Sequence, residues 1–380
     1  MRLQIRSDDE REGSPWRARR AVLIALAAFI LVPGTAGAQA PFTVGSVTAQ
    51  PGTIASGSLT IAPLGGDEGT TIPFSIINGA KAGPVLALTA GTHGEEYPPI
   101  LALQRQRAAI DPKELSGTII MVHVVNMPSF LGRTIYYSPV DHKNQNRVFP
   151  GKADGTLAER IADAITREVI DRSQYLIDLH CGDGNESLRP YVYWNMRGTP
   201  AVVEGVHQLA LAFGIDHIIL DRGRPLDPAK SVSLSNTAVA RGKPGLTIES
   251  GGMGQTDEAS IVVIERGIAG VLKYLKMRAT GPGPVEHPVY LSRNQVLMSG
   301  ATGIFYPAVE RGQTVAEGTL FGRITDFHGT VLEEIRAPFA GEVLYVVGTP
   351  PTTKGEPLGS VATPATEAEV RALKTTGSRP

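Results

Sequence analysis

The chain has 380 residues, of which 42% are hydrophobic, 19% charged and 6% aromatic. This composition is typical of a folded globular protein with room for two domains, and it excludes a disordered, collagenous or coiled-coil chain. With 36 basic and 37 acidic residues the formal charge is −1. We therefore predict a small-molecule partner and no nucleic-acid partner, because no global field attracts polyanions.

The amino terminus has the three-part pattern of a secretory signal. Arg17, Arg19 and Arg20 precede the apolar run 21–32, and small residues follow at 36–38. A helix as short as the apolar run spans about 18 Å, less than the ~30 Å of a bilayer core, so we predict no permanent membrane span. The prediction is a signal peptide at 1–38 and a mature protein that is exported, periplasmic or secreted.

The middle of the chain alternates short apolar runs with amphipathic stretches, which is typical of an α/β sheet wrapped by helices. Short strands at 42–80 are expected to add an edge or cap to this sheet. The predicted strands of the sheet are 84–90, 118–125, 175–179, 217–220 and 245–249, and the clearest predicted helices are 157–172 and 257–276. We assign residues 39–280 to one catalytic domain.

The composition changes after this domain. A turn-rich linker, 281–284, precedes short β-like segments separated by glycines. Residues 285–362 are therefore predicted to form a small all-β module, and 363–380 a disordered tail.

Three of the predicted strands end in polar residues that buried strands do not otherwise need. His93 and Glu96 follow the first strand, His180 follows the third, and Glu249 ends the fifth. In an open α/β sheet ligands bind at the carboxyl ends of strands, so these residues can meet. Two histidines and one carboxylate form the ligand set of a catalytic zinc site with one open position, and Glu249 remains free to accept a proton. The single cysteine, Cys181, excludes a zinc site built from several thiolates.

The residues around this constellation resemble a known family. The runs 91–96, 138–151, 178–180 and 244–252 are similar to motifs of the succinylglutamate desuccinylase/aspartoacylase family, a deacylase branch of the zinc carboxypeptidase fold. The resemblance extends from about residue 80 to 362. It implies an α/β fold with a mixed sheet and helices on both faces, and a single Zn²⁺ per chain.

The resemblance also implies a role for each site residue. His93, Glu96 and His180 correspond to the zinc ligands, and Glu249 to the general base and acid. Asn146 and Arg147 match the position that binds a substrate carboxylate, for which a guanidinium is well suited.

Further positions carry weaker expectations. Arg133 is expected to polarise the scissile carbonyl and stabilise the oxyanion. His142 and Gln145 depart from the family pattern, which has glycine and leucine there. Asp178 either orients His180 or caps the end of a strand, and both interpretations remain open.

Two other residues near the motifs have simpler predictions. Cys181 is expected to be a buried thiol without a role, and His123 a histidine of the core. The segment 285–362 resembles a lipoyl/biotinyl-type half-barrel but has no lysine between Arg323 and Leu344. We therefore expect a scaffold and not a swinging carrier.

Together these predictions describe an exported zinc-dependent hydrolase that cleaves the amide bond of a small, carboxylate-bearing N-acyl amino acid. Two alternatives remain open. One is a zinc carboxypeptidase that acts on extracellular or cell-wall peptides. The other is a secreted binding protein that has kept the fold without catalysis.

Overall fold

The computed structural model describes residues 39–376 of the chain. The predicted signal peptide, residues 1–38, therefore lies outside the described residues. Within the described part, no helix is both long enough and apolar enough to cross a membrane.

Within residues 39–376 the strands form three sheets. Their bounds in chain order are β1 Phe42–Val44, β2 Val47–Ala49, β3 Thr53–Ile61, β4 Thr70–Asn78, β5 Lys81–Thr89, β6 Ser116–Val122, β7 Tyr175–His180, β8 Glu186–Leu188, β9 Tyr191–Asn195, β10 His217–Asp221, β11 Gly245–Glu249, β12 Val289–Met298, β13 Gly303–Pro307, β14 Thr314–Val315, β15 Leu320–Thr325, β16 Val331–Arg336, β17 Gly341–Val347, β18 Pro351–Thr352 and β19 Pro357–Pro364.

The helices are α1 Tyr97–Ala109, α2 Met127–Gly132, α3 Leu157–Ile165, α4 Pro200–Phe213, α5 Leu234–Ala240, α6 Glu258–Tyr274 and α7 Glu367–Thr376. The predicted helix 157–172 is α3 followed by a π-helical turn at Thr166–Ile170. Its start is confirmed by the backbone N–H of Thr156, which donates to Glu159 Oε2 at 2.9 Å. The predicted helix 257–276 is α6, capped by the side chain of Asp257.

The large sheet has the order β14-β17-β19-β12-β10-β9-β11-β7-β5-β6-β4-β3, with β8 paired to β17. Strands β6, β5, β7 and β11 are parallel to one another, whereas β9 runs antiparallel to β11. The sheet is therefore mixed, as the resemblance implied. All five strands predicted from the apolar runs are present, as β5, β6, β7, β10 and β11.

Alternate residues of the central strands face two separate cores. Leu86 and Leu88 of β5 belong to a core shared with α1, α4 and α6, whereas Ala87 belongs to a second core shared with α3 and α5. This follows from the two-residue period of a strand, which sends neighbouring side chains to opposite faces. Helices thus cover both faces of the sheet. The edge at which β5, β7 and β11 end is left for the site.

The C-terminal strands divide between two sheets. β12, β14, β17 and β19 extend the large sheet, because β12 pairs in parallel with β10. β13, β15, β16 and β18 form a separate four-stranded sheet. The segment 285–362 contains strands and turns, as predicted, but half of its strands continue the main sheet. The predicted disordered tail contains α7 over residues 367–376.

Candidate metal centre

Three neighbouring strands carry the predicted site residues at or just after their carboxyl ends. The sheet order places β11, β7 and β5 side by side. His180 ends β7 and lies in register with Glu249, which ends β11. The chain leaves β5 and turns through Gly91, whose φ of +67° favours glycine, before it reaches His93. The strand ends therefore bring residues from distant parts of the sequence to one edge.

The side chains of His93, Glu96 and His180 converge. Glu96 Oε1 lies 2.9 Å from Nδ1 of His93 and 2.8 Å from Nδ1 of His180. One possible ligand atom of each residue lies within 4.8 Å of those of the other two. Two imidazole nitrogens and one carboxylate oxygen around a common point are a donor set that suits Zn²⁺ with a fourth position open.

The loop that carries His93 is held by close backbone packing. The backbone N–H of His93 donates to Glu96 Oε2 at 3.1 Å. A Cβ on Gly94 would lie 2.4 Å from the carbonyl oxygens of Ser129 and Thr134, which are too close for any side chain. These contacts restrict the loop that carries the two predicted ligands.

Burial and charge oppose each other at the three residues. Burial lowers the pKa of His180, but Asp178 and Glu96 outweigh it and raise the pKa well above the usual value. Burial also lowers the pKa of His93, but the negative charge of Glu96 outweighs this effect and raises that pKa. Burial raises the pKa of Glu96, but the two histidines outweigh it and lower that pKa. A cation that binds here would displace protons from the histidines.

Asp178 orients His180. Its side chain is fully buried, and its Oδ2 lies 2.8 Å from Nε2 of His180. Its other oxygen accepts a hydrogen bond from the hydroxyl of Thr89 at 2.8 Å. Of the two interpretations left open by the sequence, the geometry supports the orienting role, because Nδ1 of His180 is thereby directed to Glu96.

Glu249 lies beside the three residues and is partly buried. Burial is the largest influence on its pKa and raises it well above the usual value, with Glu96 and Glu186 adding to the effect against the charge of His180. A carboxylate with a raised pKa is suited to exchange protons near neutral pH.

Asn146 and Arg147 point in different directions. Asn146 is buried, with Nδ2 3.3 Å from Nε2 of His180 and Oδ1 accepting from the backbone N–H of Leu234 at 3.0 Å. Arg147 is exposed, and its Nη1 donates to the carbonyl oxygen of Asn146 at 2.8 Å. The structure therefore places Asn146 against His180, whereas the neighbouring Arg147 faces solvent.

A second arginine lies near Arg147 and was not identified from the sequence. Although Arg147 is exposed, protein packed around its guanidinium lowers its pKa, and the charge of Arg224 adds to this effect. Arg224 donates from Nε to Asp221 Oδ2 at 2.6 Å, and its guanidinium carbon lies 6.0 Å from the ring centroid of Tyr193. No pattern in the loop after β10 indicates this arginine as a site residue.

The structure shows how His142 and Gln145, the two departures from the family pattern, are accommodated. His142 has a φ of 54°, the left-handed region that glycine adopts without strain. Gln145 is fully buried, and its Nε2 donates to the carbonyl oxygen of Ala158 in α3 at 2.9 Å. This bond attaches the segment before Arg147 to α3.

Arg133 makes no hydrogen bond to the three predicted ligands within residues 39–376. It caps the C-terminus of α2 with an exposed side chain and lines a 350 Å³ cavity with Tyr97 and Phe130. The hydrogen bonds of the His93, Glu96 and His180 side chains within residues 39–376 are all made to other groups. The oxyanion role expected from the sequence stays a prediction.

Tyr136 lies next to the site and was missed by sequence reasoning. Its ring meets that of His93 edge to face, with 6.1 Å between the centroids. Its hydroxyl donates to Glu186 Oε1 at 2.6 Å, and its backbone N–H donates to Asp183 Oδ2 at 3.0 Å. Tyr136 has a φ of 58°, a conformation imposed by these tertiary contacts that local sequence does not indicate.

The C-terminal strands reach this region through β17. Tyr345 of β17 lies opposite Leu188 of β8, the strand that follows the loop after His180. Tyr345 is buried, and burial together with the charges of Glu186 and Glu249 raises its pKa well above the usual value. These strands therefore contribute to the surroundings of the site.

The predicted burial of Cys181 is confirmed, whereas His123, predicted to be a satisfied histidine of the core, is partly buried and its Nδ1 has no hydrogen-bond partner among residues 39–376. Cys181 is a free, buried thiol whose Sγ lies 3.1 Å from the carbonyl oxygen of Gly182, and burial raises its pKa well above the usual value. His123 lies 2.9 Å from Ser75 Oγ through Nε2. Burial, and then Arg107, lower the pKa of His123 to about 4, which keeps it neutral in the core.

Comparisons with known proteins agree with the motifs. The family model described as the succinylglutamate desuccinylase/aspartoacylase catalytic domain matches residues 82–275. The N-alpha-acetyl-L-2,4-diaminobutyric acid deacetylase of Halomonas elongata is 31% identical over 274 residues, which cover 70% of this chain and 78% of that protein.

Solved structures share the fold. The product-bound ectoine utilization protein EutE from Ruegeria pomeroyi has a TM-score of 0.72 and 27% identity, over 82% of this chain and 95% of that one. A succinylglutamate desuccinylase from Silicibacter species TM1040 has a TM-score of 0.71 and 25% identity, with the same coverage of 82% and 95%. The shared fold includes the large mixed sheet and its helices.

Proposed function

Because the chain belongs to the succinylglutamate desuccinylase/aspartoacylase family, we propose that it is a Zn²⁺-dependent hydrolase that cleaves the amide bond of a small N-acyl amino acid. One observation carries the proposal. Nδ1 of His93 and Nδ1 of His180 converge on Glu96 Oε1, next to a carboxylate with a raised pKa, Glu249. The Halomonas relative, named as a deacetylase, supports an acyl-amide substrate.

His93, Glu96 and His180 would hold the ion, which supplies Lewis acidity to a substrate carbonyl and to water. Glu249 accepts a proton from the attacking water and transfers it to the departing amine. Its partly buried position makes both steps feasible, because a raised pKa matches the carboxylate to proton exchange. An oxyanion role for Arg133 stays a prediction from the sequence.

Arg147 binds the substrate carboxylate, supported by the nearby positive charge of Arg224. A guanidinium can form two parallel hydrogen bonds to a carboxylate, which fixes the orientation of the substrate. Arg147 follows Asn146, whose Nδ2 lies 3.3 Å from Nε2 of His180, so a substrate held there by its carboxylate extends toward Glu249. The proposed substrate is therefore an N-acyl amino acid with a free carboxylate.

Hydrolysis assays on a substrate panel test this function. The panel contains N-acetyl and N-succinyl amino acids, the same compounds with the carboxylate blocked as a methyl ester, and short peptides. We expect turnover of N-acyl amino acids by the zinc-loaded protein, loss of turnover after chelation, and a large rise in KM for the blocked compounds. Preference for peptides would indicate the carboxypeptidase, and binding without turnover would indicate the non-catalytic alternative.

We also propose that the protein is exported after cleavage near residue 38. This proposal rests on the pattern of residues 1–38 in the sequence. Amino-terminal sequencing of the protein recovered from a periplasmic fraction is expected to begin near residue 39. Recovery of the intact amino terminus from the cytoplasm alone would contradict it.

A further inference from the structure

A largely apolar cavity lies between the first half of α1 and the end of α2. It has a volume of 350 Å³, which is within the ~300–1,000 Å³ typical of small-molecule sites. The rings of Tyr97 and Phe130 meet edge to face in its lining, with 6.1 Å between their centroids. Ile100 and Leu101 of α1 continue this apolar surface. The cavity can therefore bury an apolar group of modest size.

Arg133 is the single charged side chain in the lining of this cavity. Its guanidinium makes no hydrogen bond or ion pair with another residue of the described chain. Burial and then the charge of Glu95 raise the pKa of Tyr97, and the charge of Arg133 opposes them, yet Arg133 pairs with no carboxylate. Arg105 of α1, in contrast, donates two hydrogen bonds to Glu258, at 2.7 Å and 2.8 Å. Arg133 therefore keeps its donors for an anion from outside the chain.

Leu131 adds exposed apolar surface to the same lining. Its side chain is 70% exposed, and it precedes Arg133 by two residues. A cavity of 350 Å³ encloses a small molecule, whereas a stable protein interface needs a surface of ~800 Å² on each partner. Apolar walls beside one unpaired cation thus match a small ligand with an aliphatic chain and one negative charge.

We propose that this cavity binds an aliphatic monocarboxylate. The guanidinium of Arg133 forms two parallel hydrogen bonds to the carboxylate, and the chain packs against Phe130 and Leu131. The cavity contains neither a predicted metal ligand nor Glu249, and it is separate from Arg147. The proposal is therefore independent of the proposed hydrolysis. It also differs from the oxyanion role predicted for Arg133, which requires contact with the reacting carbonyl.

Calorimetric titration of the purified full chain with simple aliphatic compounds tests the site. Butanoate, hexanoate and octanoate vary the chain, acetate keeps the charge without the chain, and octanol keeps the chain without the charge. We expect binding to become about fourfold tighter for each methylene that the cavity buries. Octanol is expected to bind about 10–100-fold more weakly than octanoate, because it lacks the charged partner of Arg133.

Four variants locate the bound octanoate. Arg133→Gln is expected to reduce its affinity to that of octanol. Leu131→Glu is expected to weaken binding about fivefold or more, because the new carboxylate repels that of the ligand. Leu332→Glu is the matched control, since Leu332 is 50% exposed on β16 and does not line the cavity. Affinity in Leu332→Glu and in Arg147→Gln is expected to equal that of the wild type.

Equal affinity for octanoate and octanol, or no binding of either, would overturn the proposal. Loss of octanoate binding in Arg147→Gln or after chelation of metal would overturn it too, because the ligand would then occupy the substrate site or the metal centre. Sedimentation tests a second copy of the chain as the occupant. A wild-type dimer that dissociates in Leu131→Glu but not in Leu332→Glu would assign the cavity to that copy and contradict the proposal. Absence of amide hydrolysis would refute the proposed function alone and leave these titrations decisive.

Discussion

Glu96 and Glu249 are carboxylates at the same edge of the sheet, yet their surroundings shift their pKa values in opposite directions. Two histidines lower the pKa of Glu96 against the effect of burial. Burial and neighbouring carboxylates raise the pKa of Glu249. A difference of this kind separates the roles of two acids, because one stays ionised while the other can exchange a proton. Glu96 is therefore suited to be a ligand and Glu249 to be a base.

Substitution of Glu249 tests this division of roles. In Glu249→Gln we expect turnover to fall by about 10²–10⁴-fold, because the amide cannot accept the proton of water. Zinc content, measured by elemental analysis, is expected to be unchanged, since Glu249 is not a ligand. Turnover near the wild-type value would remove Glu249 from the mechanism.

The pH profile of the wild type tests the same residue without a substitution. The base must be ionised to act, so kcat/KM is expected to fall as the pH decreases through the pKa of Glu249. Because burial raises that pKa, the acidic limb is expected to lie above pH 4.5, the ordinary value of a glutamate. A limb centred at or below 4.5 would show that Glu249 is not the titrating base.

At the scale of elements, α3 supports the segment that ends in Arg147. Gln145 donates to the carbonyl oxygen of Ala158 in α3, and the helix is in turn tied to the turn between β3 and β4 by an ion pair. Arg160 Nη2 lies 2.7 Å and 2.9 Å from the two carboxylate oxygens of Asp67. The side chains of Arg160 and Asp67 are 6% and 13% exposed, so little water competes for this contact.

Removing one charge of this pair is expected to destabilise the fold. In Asp67→Asn the buried guanidinium of Arg160 loses its counter-charge, and the free energy of unfolding is expected to fall by about 1–3 kcal/mol. The hydrogen bond from Arg160 lowers the pKa of Asp67. The ion pair therefore stabilises the wild type fully above pH 3.8, the ordinary pKa of an aspartate, and this stabilisation is lost as the pH falls through the lowered pKa of Asp67. Urea unfolding of the wild type and of Asp67→Asn at neutral and acidic pH measures the difference in the free energy of unfolding. An equal difference at both would contradict the ionic explanation.

At the scale of the whole molecule, the C-terminal strands are part of the main structure. β12 pairs with β10, and β17 pairs with β8. Leu344 of β17 is fully buried in a cluster with Leu188, Tyr191 and Ile219 of the central region. Unfolding is therefore expected to be a single cooperative transition that includes both parts.

Leu344→Ala tests this continuity. The loss of a fully buried leucine is expected to lower the stability by about 2–5 kcal/mol while calorimetry still shows one transition. Leu332→Ala is a matched control, because Leu332 is 50% exposed on β16, and its effect is expected to stay within about 0.5 kcal/mol. Two separate transitions, with only one shifted, would indicate an independent C-terminal module.

The sequence predicted the strands and the converging residues because both depend on local patterns. Continuous apolar runs ended at His180 and Glu249, and the sheet edge then brought these residues to His93. Tyr136 and Arg224 were not predictable in this way. Tyr136 has a left-handed backbone held by contacts with distant residues, and Arg224 lies in a loop without a periodic pattern.

The expected role of Arg133 shows the same limit. Sequence assigned it an oxyanion role, but the position of its side chain depends on the turn after α2, where it lines a cavity with Tyr97 and Phe130. Asn144 was also not identified as a neighbour of the site. Its Oδ1 lies 3.2 Å from Nε2 of His93, and this contact depends on how the segment 144–147 turns. Chemistry at strand ends is therefore readable from sequence, whereas chemistry in long loops depends on tertiary contacts.

The account depends on His93, Glu96 and His180 holding one catalytic cation, and metal analysis tests this most directly. Elemental analysis of the purified wild type is expected to give one Zn²⁺ per chain, and His180→Ala is expected to lose most of it together with activity. Unchanged zinc stoichiometry in His180→Ala, or full wild-type activity after exhaustive chelation, would contradict the account.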